Sequence, residues 1–422
     1  MTLNPGKNGW LTEYLEFRKG MLHSFFVESK EDRHPEESLY RLLKPNGLLY
    51  GHPILFDDVE NIDEELSNLN KMKILMAESL INGSLILHHQ EINDENDFSE
   101  VILKTVHNIG DFYNKVYPEL SVSSRTLFGR KKTPLEIAEK ILEKRIMLNE
   151  ANGDFWINFF NNSLLFLDIY FFGQWMHANV DKNVAVFFKA EKESLRLSVV
   201  KVLAAAAHAN KKIEEEEQGL FDYFLDSSHL NNQQKQQAKK FFKEGVALSE
   251  IDLPTHNSWI LKKYFLELAI LTVWADRLLE DSEYEFLQRF NEMLGFYEED
   301  LENSLLAVEG FVLEHWEFLE ALRSEHNYNE VSAEYIEKIR KMAERNAMRI
   351  ASEMKGKSEM NQLLEKARNN DLSEVEALKL KEDLINVLKR VPTFVIIGVP
   401  TTFLTLPMLL KILPANLIGS AL

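Results

Sequence analysis

The residues best suited to chemistry in this chain are carboxylates, and they come in two runs. Glu214-Glu215-Glu216-Glu217 follows Ala209-Asn210-Lys211-Lys212-Ile213, and Glu280-Asp281-Ser282-Glu283 follows Ala275-Asp276-Arg277-Leu278-Leu279. Carboxylate oxygens are the ligands that hard divalent cations prefer. The candidate metal ligands are therefore Asp276, Glu280 and Glu283 from one run, with Glu214 and Glu217 from the other. Four consecutive glutamates surround a helix, so Glu214–Glu217 cannot converge on one ion without the second run. The simpler reading, and the favoured one, is a pair of solvated helix starts, where acidic side chains meet free N–H groups and the positive end of the dipole.

Little else points to catalysis. Cys is absent, which removes thiolate nucleophiles, Cys-ligated zinc and disulfides together. His88 and His89 are adjacent and so lie on different faces of a helix; His208 ends an alanine-rich helix, where a stabilising cap competes with a ligand or pH-sensing role. No HExxH, GxGxxG, GxxxxGK[ST] or GxSxG string occurs. The expectation is a protein that is not an enzyme and holds no cofactor beyond a divalent cation at the acidic runs. A formal charge of −19 repels phosphate backbones, which excludes DNA as a partner. Arg130-Lys131-Lys132 is a local basic exception. It reads as a solvated loop, with anionic lipid or ribosomal RNA as the alternative partners.

The elements that position these residues are helical. Gly and Pro number 17 and 11 in 422 residues, too few for the turns of an all-β protein. An all-α, multi-domain protein follows. Shifting the sequence by 66 residues lays the first acidic run on the second, with Leu220 on Phe286 and Phe224 on Phe290. Each copy reads as an apolar helix, a polar turn and an acidic start to the next helix, so two αα-hairpins about a pseudo-twofold axis are expected. Thr133-Pro134-Leu135-Glu136 and Ser373-Glu374-Val375-Glu376 are capping boxes that open helices. Ser121–Lys132 reads as a linker and Met354–Lys357 as a break. The chain divides into an N-terminal helical domain (1–130), a helical bundle with the repeat (131–330), a charged helical region (331–390) and an apolar segment (391–422).

Two stretches raise the question of a membrane. Residues 155–176 carry nine aromatics and one charge, Asp168, but also Asn158, Asn161, Asn162 and Gln174. A central core helix is favoured over a span on that account. Val391–Leu410 is 20 residues without a charge, preceded by Lys389-Arg390, and is long enough to cross the hydrocarbon as a helix. Pro392, Pro400, Pro407 and Pro414 interrupt it. A kinked span or a re-entrant pair of half-helices is expected, against a buried hairpin that closes the soluble core. The N-terminus has no apolar signal-type stretch, so the helical domains are expected to face the cytoplasm from the inner membrane.

From Asp383 to Ser420, the residues Arg390, Pro392, Pro400, Leu406-Pro407, Lys411, Pro414 and Asn416 resemble the leucine-zipper/EF-hand transmembrane (Letm) family in type and register. That resemblance implies a membrane segment, with monovalent cation/proton exchange or ribosome binding as functions; oligomerisation would be needed for exchange. Residues 151–318 resemble the TerB-like helical domain, whose hallmark is an Ala-Asp-Gly turn followed by acidic residues. Both copies here lack the glycine, and Asn210 stands where the first copy would carry the aspartate. Restoring that turn with Asn210→Asp and Lys211→Gly is expected to cost little stability. Together the two segments are similar to a bacterial group of Letm-related, biofilm-associated proteins. The function expected from this is a membrane-associated scaffold or stress and envelope factor.

Overall fold

The computed structural model describes residues 4–16, 36, 40, 66–126, 128–147, 160, 163–177, 182–213, 215–228, 230–252, 258–274, 279–318, 327–400, 403–414 and 417. Among these the fold is all helical; the single trace of extended pairing is an isolated antiparallel bridge between Arg125 and Lys131. Two compact units account for the chain. Unit 1 comprises residues 1–208 and 218–265; unit 2 comprises residues 209–217 and 266–422. Unit 2 takes its first nine residues from the turn and acidic run of the first repeat copy.

Unit 1 is built on α1 (Asn68–Leu87), α2 (Glu95–Val116), α3 (Pro134–Met147), α4 (Leu165–His177) and α5 (Lys182–Ala207). Helix α2 is amphipathic: Val101, Val106, Ile109, Tyr113 and Val116 recur on one face and all are buried. Helices α1, α3, α4 and α5 pack against it. Asp94 opens α2 by accepting from the N–H groups of Asn96 and Asp97. Thr133 and Glu136 form the expected capping box at α3, with Thr133 N–H to Glu136 Oε2 at 2.8 Å and Glu136 N–H to Thr133 Oγ1 at 3.2 Å. The aromatic-rich stretch becomes α4, whose Phe166, Phe171, Phe172 and Trp175 are buried in this unit's core. Asn158, Asn161 and Asn162 lie outside the described residues.

Helices α6 (Glu215–Ser227) and α8 (Trp259–Val273) each pass from one unit to the other, and α7 (Asn232–Glu244) lies between them in sequence. The Nε2 of His208 donates to the Phe242 carbonyl at 2.7 Å, and its ring lies against Gly245. Gly245 has φ +77, and a Cβ there would meet the imidazole at 3.2 Å, so only glycine fits. His208 therefore serves the end of α7 rather than the end of its own helix.

Unit 2 continues through α9 (Asp281–Leu294), α10 (Glu298–Glu314), α11 (Tyr328–Arg345), α12 (Ala347–Met354), α13 (Ser358–Arg368) and α14 (Glu374–Arg390). The break expected at Met354–Lys357 separates α12 from α13, with Gly356 at φ +84. The second capping box also forms: Ser373 N–H reaches Glu376 Oε2 at 3.0 Å and Glu376 N–H reaches Ser373 Oγ at 3.3 Å.

The uncharged stretch folds as two short helices, α15 (Pro392–Ile397) and α16 (Leu406–Ile412). Proline stands at one of the first two positions of each, where its missing N–H costs nothing. Gly398, at φ +62, ends α15. Among the described residues no helix is long and apolar enough to cross a membrane. Helix α15 packs on α10 and α14, and α16 on α11 and α14. Val391, Phe394, Ile397, Phe403, Leu409, Ile412 and Leu413 join one buried cluster with Ile339, Met342, Leu380 and Leu384. In form this is the hairpin that closes a helical core.

Candidate functional site

The turn before the first acidic run meets the second run in unit 2, through one side chain from each. Asn210 Nδ2 donates to Glu283 Oε1 at 3.0 Å, and the N–H of Glu280 donates to Glu283 Oε2 at 2.8 Å. Both oxygens of a carboxylate that is 1% exposed are thus occupied by N–H donors. Asn210 Oδ1 accepts from the N–H of Lys212 at 3.0 Å, closing a local turn. Lys211, between them, is held at φ +66, a left-handed conformation that suits glycine better than lysine.

Glu217, the repeat equivalent of Glu283, is 2% exposed. The expected pair of solvated helix starts therefore does not describe the last acid of either run, although Glu215 is exposed as expected. The two buried acids occupy equivalent positions of the 66-residue repeat. Glu280 is exposed at the start of α9. Asp276 and Glu214 lie outside the described residues. Among the described residues no three His, Cys, Asp or Glu side chains group closely enough to hold a metal ion. Sequence reasoning did not single out Asn210 as the residue that bridges the copies, though its place in the family's aspartate position was the available signal.

The residues of the Letm-like pattern are spread over the hairpin of α15 and α16. Pro400 is buried against Gly310 of α10, where a Cβ would lie 3.1 Å from the proline ring and 2.7 Å from the Tyr335 hydroxyl. Pro392 is half-buried, Pro414 buried, and Pro407 and Lys411 exposed. Arg390 sits 3.7 Å from Glu353 on the surface. Thr393 Oγ1 donates to Asn346 Oδ1 at 3.4 Å, which ties the start of α15 to the junction of α11 and α12. Asn416 lies outside the described residues.

Unit 1 holds a buried polar cluster that sequence reasoning noted only as a lone charge. Arg145 of α3 clamps Asp168 of α4, with Nε to Oδ2 at 2.6 Å and Nη2 to Oδ1 at 3.3 Å. The hydroxyls of Tyr113 and Tyr117 donate to the same carboxylate at 2.9 and 2.6 Å. Asp168 is 1% exposed and Arg145 4%. Burial works against the Arg145 charge, but the Asp168 carboxylate outweighs it and the guanidinium is harder to deprotonate than usual. Burial, then Asp168, push both tyrosines well above their ordinary range. The four groups satisfy one another, as a buried ion pair requires, and the arrangement reads as structural. On its outer side Lys192 lies 4.0 Å from the Tyr117 ring centroid, its pKa lowered by burial and by nearby Arg196.

Curated relatives cover one part of the chain. It is 29% identical over 122 residues to the co-chaperone protein DjlA of Vibrio cholerae, a match that takes in 27% of this chain and 43% of that protein. It is 32% identical over 115 residues to DjlA of Aliivibrio fischeri, 25% of this chain and 40% of that protein, and 30% identical over 112 residues to DjlA of Vibrio parahaemolyticus, 25% and 39%. No family model matches the chain, and no solved structure matches it. The chain thus spans about two fifths of the length of the curated relatives it resembles.

Proposed function

We propose that this chain is a non-enzymatic helical scaffold that works at the cytoplasmic face of a bacterial membrane and holds a protein partner. The observation that carries the reading is the stretch shared with DjlA, since a co-chaperone acts on another protein rather than on a small substrate. The turn of unit 2 supports it: the amide of Asn210 and the left-handed Lys211 make a structured turn tied to buried Glu283, with Glu215 and Glu280 exposed at the acidic runs. In this reading the repeat is a TerB-like docking module, and the layout is similar to that of the Letm-related, biofilm-associated group.

Membrane association rests on the Letm-like pattern and on the uncharged stretch Val391–Leu410. The inward faces of α15 and α16 are committed to the core of unit 2. Contact with lipid therefore falls to their outward side, around Gly398, Thr405, Pro407 and Lys411, all exposed, as a peripheral or re-entrant association. Cation/proton exchange and ribosome docking are implied by the Letm resemblance alone.

The test is fractionation of cells making the full-length chain, combined with a photocrosslinker placed at exposed Glu215. Recovery with membranes, removed by carbonate, and one discrete crosslinked protein are the expected results. A chain recovered entirely free of membranes, with no crosslink at Glu215, would refute the proposal.

A further inference from the structure

The linker between α2 and α3 is a built hairpin, and its apex is bare. Thr126 N–H donates to the Arg130 carbonyl at 2.8 Å, Lys132 N–H to the Ser124 carbonyl at 2.8 Å, and Gly129 N–H to the Thr126 carbonyl at 3.0 Å. Gly129 takes φ +80, a left-handed conformation that suits glycine at a hairpin turn. Side chains reinforce it: Arg130 N–H donates to Thr126 Oγ1 at 3.1 Å, and Arg125 N–H to Ser123 Oγ at 3.2 Å.

The hairpin is also braced against α3. The guanidinium of Arg130 grips both oxygens of Glu136, the same carboxylate that completes the capping box. Held by Arg130 and by the N–H of Thr133, Glu136 has its pKa lowered to about 2, so the brace stays charged through neutral pH.

Phe128, at the tip of this braced structure, is 98% exposed. A flexible loop can fold an aromatic back onto the protein; a turn fixed by this many hydrogen bonds presents it to solvent. Along the hairpin's own sequence the charge is all of one sign. From Leu120 to Leu135 the chain carries Arg125, Arg130, Lys131 and Lys132 and no acid, in a protein of net charge −19. Arg130 is spent on Glu136, whereas Arg125, Lys131 and Lys132 have no carboxylate partner among the described residues. An apolar apex with cations set behind it on both legs matches a bilayer surface, where an aromatic enters the interface and cations stay at headgroup depth. A nucleic acid would ask for a longer basic track, and the acidic remainder of the chain opposes one.

We propose that the hairpin of residues 123–132 is a membrane-docking finger that recognises anionic lipid headgroups through Arg125, Lys131 and Lys132 and inserts Phe128. The assignment deepens the membrane reading above and rests on it, but uses a different part of the chain from α15 and α16.

Flotation of the purified full-length chain with vesicles tests it. One set contains phosphatidylcholine alone and a second is enriched in phosphatidylglycerol, each at low and high salt. Binding should favour the anionic vesicles and weaken with salt. The Arg125→Glu/Lys131→Glu variant should lose at least roughly five-fold in partitioning per cation removed. Phe128→Ala should also weaken binding while leaving the melting temperature unchanged, because nothing packs on this ring. In Phe128→Trp, the added fluorescence should be quenched by lipids brominated on their chains.

Equal binding to both vesicle types, unaltered in these variants, would overturn the finger and leave α15 and α16 as the attachment. A chain that binds neither vesicle would overturn both readings together. Loss of binding to an RNA homopolymer in the charge-reversal variant, with vesicle binding intact, would overturn the lipid assignment in favour of RNA.

Discussion

Replacing Asn210 by Asp would recreate the acidic residue of a TerB-like turn, and the geometry of unit 2 makes that change costly. The amide nitrogen of Asn210 lies 3.0 Å from Glu283 Oε1, and Glu283 is 1% exposed. A carboxylate in its place sets two negative charges at that distance. With an effective dielectric near 20 the repulsion is about 5 kcal/mol. The pair escapes it by binding one proton, which at pH 7 costs about 4 kcal/mol for a group with an ordinary pKa near 4. The smaller figure governs, so Asn210→Asp should destabilise unit 2 by about 3–4 kcal/mol at pH 7.

The sign of the pH dependence follows. The folded state of the variant holds the shared proton more tightly than the unfolded state, so its stability is recovered as pH falls toward the ordinary carboxylate range and lost as pH rises, by up to about 1.4 kcal/mol per pH unit. Urea denaturation of the full-length variant at pH 5 and pH 7 measures this, with Asn210→Ala as a control that removes the hydrogen bond without adding charge. Lys211→Gly, at φ +66, should stay within about 1 kcal/mol of the parent, since relief of the left-handed lysine offsets the glycine's added freedom. On this geometry the double change is expected to destabilise through Asn210 and not through Lys211. Recovery of Asn210→Asp at pH 7 by millimolar Ca²⁺, Mg²⁺ or Mn²⁺, with none in the parent, would show that the turn becomes a cation site once the aspartate is restored. A variant as stable as the parent at both pH values, without metal, would refute the reasoning.

Asp168→Asn leaves the buried Arg145 guanidinium without its counter-charge and should cost about 3–5 kcal/mol, whereas Arg145→Met with Asp168→Leu should cost less than that single change; denaturation curves decide. Ending the chain at Arg390 removes seven apolar side chains that are buried among the described residues, from Val391 to Leu413, worth roughly 10–20 kcal/mol at 1.5–3 each. That exceeds the stability of most domains, so the truncated protein should aggregate or lose unit 2, seen as missing hydrogen-exchange protection in α10, α11 and α14; a cooperative melt like the parent's would disprove the packing. Glu376, held by Lys366 and by the backbone and hydroxyl of Ser373, has a pKa lowered to about 2. Its contribution is fully present above about pH 4.5 and is lost as pH falls through 2, which an NMR titration of its side-chain carboxyl checks.

Several of these features were legible in the sequence because they are written locally. The capping boxes at Thr133 and Ser373 need only residues three apart, and both form with their reciprocal hydrogen bonds. The apolar period of α2 marked its buried face, and the polar residues of 155–176 argued for the core helix that α4 provides. What stayed hidden depends on partners distant in the chain. Asp168 was visible as a lone charge, but its answering Arg145 looks like any basic residue near a helix end. Val391–Leu410 is equally apolar whether lipid or α10, α11 and α14 cover it, since hydropathy counts what must be buried and not by what. The hairpin at Arg125–Lys131 was read as linker because its glycine and hydroxyls announce a turn without fixing its register.

The passage of residues 209–217 into unit 2 sets an order of events during synthesis. Asn210 leaves the ribosome 73 residues before the Glu283 it must meet. At about 5–20 residues per second, the turn waits roughly 4–15 s for its partner, while the helices that enclose it are still being made. Unit 1 also waits past that turn, because residues 218–265 belong to it and follow the turn. For those seconds the nascent chain exposes Glu217 and the apolar faces beside it together. A holding factor on the emerging chain would act most usefully in that window.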